Sequence, residues 1–164
     1  MNTFRKLFSI VAVGMIGGQT VALAQSPAKI TMNCTSIGNT MPEVLDALKG
    51  HSIGVANFAC RVDGGPLDKG SATGQQIYEY NGPNGIGKAG SGVIRHPNGA
   101  TVWVNDKMKI DLKMQDGKVV GFDASGEGKY VMASGAAKEF EGRAYSYTAK
   151  PTGFNQFAIE ITPK

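Results

Sequence analysis

Five aromatic side chains with polar ends recur at strand spacing: Tyr78 and Tyr80, Trp103, and Tyr145 and Tyr147. Each alternates against an apolar face. Their phenol and indole groups therefore fall where a barrel interior or its mouth could hold a small ligand, offering stacking area together with a polar handle. Arg143 shares the parity of Tyr145 and Tyr147, so three consecutive same-face positions carry large side chains with polar ends. A solvated face more commonly shows Lys, Glu, Thr and Ser. The expectation is that Arg143, Tyr145 and Tyr147 line a pocket or its mouth. A desolvated guanidinium is costly without a carboxylate, and Glu79, Glu160 or an anionic ligand could supply one. The competing reading of the aromatic set is ordinary cross-strand packing.

Acid–base chemistry has few candidates. The chain has two histidines, His51 after Gly50 and His96 beside Pro97-Asn98-Gly99, and turn-proximal histidines are usually exposed. No nucleophile elbow, H-E-x-x-H, P-loop or spaced acidic metal loop occurs. Gly85-Ile-Gly-Lys-Ala-Gly90 spells G-x-G-x-x-G, but it lies between strand patterns and opens no helix, so it is no dinucleotide signature. No catalytic residue, metal ligand set or cofactor is assigned. Cys34 and Cys60 with the two histidines match no common zinc spacing, and no C-x-x-C redox motif is present.

The compartment is read from the first 24 residues. Arg5 and Lys6 precede the apolar run Leu7–Ile16, and Ala22-Leu-Ala24 closes it with small residues. That order is a secretory signal peptide, with cleavage expected between Ala24 and Gln25. An uncleaved anchor is the alternative, since a span needs roughly 20 apolar residues; Gln19, Thr20 and three glycines interrupt this one. Export, to a periplasm or the outside, makes the even cysteine count readable as one structural disulfide, Cys34–Cys60.

Removing the leader leaves 140 residues, enough for a single domain over 25–164. The leader holds +2 of the +4 formal charge, and the remaining excess shows no like-charge run. Nucleic acid and anionic membranes, which need a clustered basic face, are not expected partners. Twenty glycines in those 140 residues are about twice the usual share of roughly 7%. They suit turns, bulges and bends of an all-β protein.

The elements follow from alternation. Ile30, Met32 and Cys34 share one face of a first strand, and 52–62 form a second beside it. Between them Thr40-Met-Pro-Glu43 has capping-box spacing, with Val44, Leu45 and Leu48 along one side and Gly50 as a stop; a short helix over 41–49 is expected. Strands follow over 70–80, 88–96 and 100–104. Residues 108–115 alternate most cleanly, with Met108, Ile110, Leu112 and Met114 expected inside and Lys109, Asp111 and Lys113 in water. Further strands are expected over 118–122, 126–135, 140–149 and 154–161. Asn98-Gly99 and Asp116-Gly117 read as hairpin turns.

Many short strands with consecutive tight turns imply a sandwich or a barrel. A meander that closes on itself removes its edges, so the favoured architecture is an all-β antiparallel barrel of about eight strands with one short helix. Gly126-Glu-Gly-Lys-Tyr130, Ala133-Ser-Gly135 and Phe140-Glu-Gly142 with Tyr145 and Tyr147 resemble the strand rhythm of allene oxide cyclase and dirigent-type barrels over about 40 residues. The whole chain is also similar to small exported bacterial proteins without an assigned activity. The barrel resemblance implies eight strands around a central pocket and carries no catalytic residue across. A lipocalin is disfavoured, because the N-terminal G-x-W is missing. Two functions fit: an exported, non-enzymatic barrel that binds a small apolar or aromatic molecule or a protein, and a cofactor-free isomerase or cyclase acting in the cavity.

Overall fold

The computed structural model describes residues 29–38, 42–46 and 48–164, so the expected leader and its expected cleavage site lie outside the described residues. The chain forms β1 (Ile30–Ile37), β2 (Glu43–Val44), β3 (His51–Asp63), β4 (Ser71–Asn81), β5 (Asn84–His96), β6 (Gly99–Gln115), β7 (Lys118–Gly135), β8 (Ala144–Gly153) and β9 (Gln156–Pro163). A 3₁₀ turn, Lys138–Phe140, precedes β8. Every neighbouring pair is antiparallel. β1 pairs with both β9 and β3, which closes β1 and β3–β9 into an eight-stranded barrel, and β2 is a short extra strand on β3. Closure gives every strand of the barrel a neighbour on both sides, the expected solution for a meander of this length.

The inward face follows the period of two. Ile30, Met32 and Cys34 on β1 are buried, as are Phe157, Ile159 and Ile161 on β9. Cys34 stands opposite Cys60 in the β1–β3 ladder, and the two form the expected disulfide. It crosslinks the seam where the N-terminal strand completes the barrel.

Two strands are longer than the sequence pattern suggests. Residues 100–104 and 108–115 are one strand, β6, with its register shifted at Asn105/Lys107. The extra residue changes parity, so Thr101 and Trp103 are buried before the bulge and Met108 and Ile110 after it. Residues 118–122 and 126–135 likewise belong to the single strand β7. Met114 keeps the parity of Ile110 and Leu112 but lies next to the β6–β7 turn, beyond the core, where it is 49% exposed, so its expected burial is corrected. Leu112 is partly buried against the core. Ile110→Ala should cost about 2–5 kcal/mol, whereas Met114→Ala should stay within about 0.5 kcal/mol; chemical denaturation of the two variants checks this.

The expected helix over 41–49 is also corrected. Glu43 and Val44 pair with Ile53 and Ser52, and the chain turns back through bonds from Leu48 N to Leu45 O and from His51 N to Leu48 O. The proposed apolar side does not form one packed face, since Val44 and Leu48 are 76% and 49% exposed while Leu45 is half-buried. A segment that short gains helical stability only from such packing. The hairpin at Asp116-Gly117 has positive φ at both residues, as expected, but at β5–β6 the turn centres on Pro97-Asn98, neither with positive φ. Proline's fixed negative φ pre-sets the first central position of that turn.

Most of the glycines away from turns serve a purpose that alternation alone does not reveal: they make room for rings. Phe58 lies directly across from Gly74, and Trp103 across from Gly92. A Cβ at Gly74 would stand 2.6 Å from Phe58 Cζ and 2.9 Å from Trp103 Cζ2. Gly126 and Gly128 sit opposite Tyr147 and Tyr145 and leave room for those rings in the same way.

Candidate functional site: a two-chambered barrel interior

Strand directions set two unlike ends. At one end lie β2, the Leu48–Gly50 turn into β3 and the tight turns joining β4–β5, β6–β7 and β8–β9. At the other, the β3–β4 connection contributes Leu67 and the segment before β8 contributes Ala137 and Phe140, all buried. Phe140 stacks on Tyr130 with centroids 5.0 Å apart, and together these residues plug the second end.

Between the plug and the first end the barrel holds two chambers. The outer one has a volume of about 160 Å³. Its wall is mostly apolar: Phe58, Ile110, Leu112, Phe122, Phe157 and Ile159, with Ala124 and Ala149 as small positions and Tyr78 and Tyr80 on one side. Ser36, Pro42 and Val119 place its mouth at the first end. The surface there is unusually apolar. Ile37, Val44, Leu48, Val119 and Val120 are exposed, and Phe154 at the β8–β9 tip is 93% exposed.

The inner chamber is smaller, about 20 Å³, and more polar. Gln76, Trp103, Asn105, Tyr130, Tyr145 and Tyr147 line it with Ile94 and Ile161. Phe58, Gln76 and Ile159 belong to both linings and so form the partition. The β6 bulge turns Asn105 toward Tyr145, whose hydroxyl donates to Asn105 Oδ1 at 2.5 Å. Tyr78 donates to Gln76 Oε1 at 2.6 Å. Two hydroxyls stay unmatched: Tyr130 Oη and Tyr147 Oη are buried and have no hydrogen-bond partner among the described residues. Tyr147 Oη lies close enough to Tyr78 and Gln76 to feel them, yet no hydrogen bond closes on it.

The electrostatics are those of a neutral interior. No charged side chain lines either chamber among the described residues. All five tyrosines of the chain are buried in the barrel, and desolvation raises each phenol, Tyr80 and Tyr147 to about 12 and Tyr78, Tyr130 and Tyr145 further. They are hydrogen-bond donors at neutral pH. The folded protein holds phenolic protons that the unfolded chain releases above about pH 10. The contribution is therefore present below that pH and lost as pH rises through the folded values. In an alkaline titration phenolate absorbance should appear only together with loss of the fold; a tyrosine ionising near pH 10 in folded protein would contradict this burial.

The expected site residues thus divide. Tyr78 and Tyr80 line the outer chamber; Trp103, Tyr145 and Tyr147 line the inner one. Arg143 lines neither. It precedes β8 at the plugged end, where its Nε donates to Lys164 O at 3.3 Å and its guanidinium lies 6.0 Å from the Phe140 ring centroid. The carboxylates considered for it are engaged elsewhere: Glu79 with Lys88 and His51, Glu160 with Lys29. Hydrogen bonding to Lys88, foremost, and to His51 holds the Glu79 carboxyl below its ordinary range. His96 accepts from Asn98 N in its turn. Among the described residues no three His, Cys, Asp or Glu side chains gather as a metal site. Sequence reasoning missed Gln76, Asn105 and Tyr130. Gln76 was legible in principle, since it shares β4 parity with Tyr78 and Tyr80. No family model, curated protein or solved structure matches the chain.

Proposed function

We propose that this protein is a non-enzymatic binding protein that takes a small apolar molecule into its barrel. The carrying observation is the outer chamber: about 160 Å³ of apolar space, open at one end behind an apolar rim. An apolar cavity of roughly 150 Å³ is large enough for a benzene-sized guest, and eight-stranded barrels are of the width that holds one small ligand. The alternative, an isomerase or cyclase of the allene oxide cyclase-like type, needs a group that moves protons near neutral pH. The lining offers phenols held neutral, amides and one serine, which favours binding. The basic–apolar–small leader together with the Cys34–Cys60 disulfide supports a site of action in a periplasm or outside the cell.

The test uses ligand linkage: a guest that binds only the folded state raises stability with its concentration. Small aromatic hydrocarbons should raise the melting temperature of the wild type progressively. Ala124→Phe, which fills the chamber, should lose that response while remaining folded. No response in the wild type, or an equal response in the filled variant, would overturn the reading.

A further inference from the structure

The inner chamber defines what the guest looks like. Its volume of about 20 Å³ suits one water-sized group. Two buried hydroxyls with no partner, Tyr130 Oη and Tyr147 Oη, belong to its lining. Buried polar groups are nearly always satisfied, so an orphaned pair facing one small space marks a place where a further polar atom belongs. Gln76, on the partition, accepts from Tyr78 through Oε1, which leaves its Nε2 hydrogens directed elsewhere. Every one of these groups can donate, and no cation accompanies them among the described residues lining the chamber. An anion there would be buried uncompensated, which costs far more than a neutral acceptor.

We propose that the guest is a neutral molecule with an apolar body and one terminal hydrogen-bond acceptor, such as a carbonyl oxygen. The body fills the outer chamber, and the acceptor passes the Phe58–Gln76–Ile159 partition to take hydrogen bonds from Tyr147 Oη and Gln76 Nε2. This deepens the binding reading and rests on it. It also departs from the anionic aromatic guest that the Arg143 pattern suggests, because Arg143 lines neither chamber.

Three probes separate the possibilities: acetophenone; α-methylstyrene, which has the same shape without the oxygen; and benzoate. Dissociation constants are measured for the wild type and for Tyr147→Phe. The variant gives up a hydroxyl without a partner, so its melting temperature should equal or exceed that of the wild type. Acetophenone should bind Tyr147→Phe about two- to tenfold more weakly than the wild type, the range of one net hydrogen bond. α-Methylstyrene should bind both equally, and benzoate neither. Equal acetophenone affinity in the two proteins, parallel losses for both neutral probes, or benzoate as the tightest ligand would overturn the proposal while leaving the cavity reading standing. Failure of all three probes to bind the wild type would overturn both.

Discussion

Replacing Cys34 and Cys60 together by alanine is expected to cost about 3.5 kcal/mol, the loop-closure entropy for a loop of this length. The two residues are 26 apart in sequence and directly opposed across the β1–β3 ladder. The crosslink therefore restrains the unfolded chain, and in the folded chain it fastens the seam that completes the barrel. Both cysteines belong to the buried core cluster, so alanine also removes buried volume. Denaturant melts of the double variant, or of the wild type with and without reductant, should show the shift. A change below about 1 kcal/mol would mean that strand pairing alone closes the seam.

Trp103→Ala should be of similar size, about 3–5 kcal/mol, in the usual range for losing a buried large aromatic. Trp103 is 6% exposed and lies over Gly92, with Gly74 beside it. The fit also works in reverse. Gly74→Ala should destabilise by about 1–3 kcal/mol, because its Cβ would press on two rings that have little room to move. In the Trp103→Ala background the same substitution should cost less, since one of those rings is gone. A double-mutant cycle gives the coupling directly; strict additivity would show that ring and glycine do not share the space described for them.

These contacts show why some of the fold was legible in the sequence and some was not. The alternations Ile30/Met32/Cys34 and Phe157/Ile159/Ile161 are faces of regular strands, and period two is enough to find them. The disulfide follows from an even cysteine count once export is expected from the first 24 residues. The continuity of β6 was hidden, because the bulge at Asn105/Lys107 changes which parity faces inward and makes one strand read as two. Met114 has inward parity but falls at the end of β6, past the core, and parity does not show where along the axis the core stops. The helix over 41–49 failed because local capping chemistry says nothing of whether its apolar side will find a partner, and Val44 does not.

The site was half legible for a related reason. Parity correctly grouped Tyr145 with Tyr147 and Tyr78 with Tyr80. It cannot say where along the barrel axis a residue falls. Arg143 lies at the plugged end, past the chambers, where it serves Lys164 and Phe140. From the sequence the glycines suit turns, bulges and bends, because nothing in a single strand reveals which ring the neighbouring strand will lay across it.

The most direct measurement is a methyl-NMR titration of the folded protein with acetophenone. Ile110, Leu112 and Ile159 line the outer chamber, whereas Val44 and Val120 are exposed and belong to neither chamber lining. Saturable shifts at Ile110, Leu112 and Ile159, with Val44 and Val120 unmoved, are the predicted result. Shifts confined to Val44 and Val120, or no saturable shifts at the three lining residues, would contradict a guest inside the barrel.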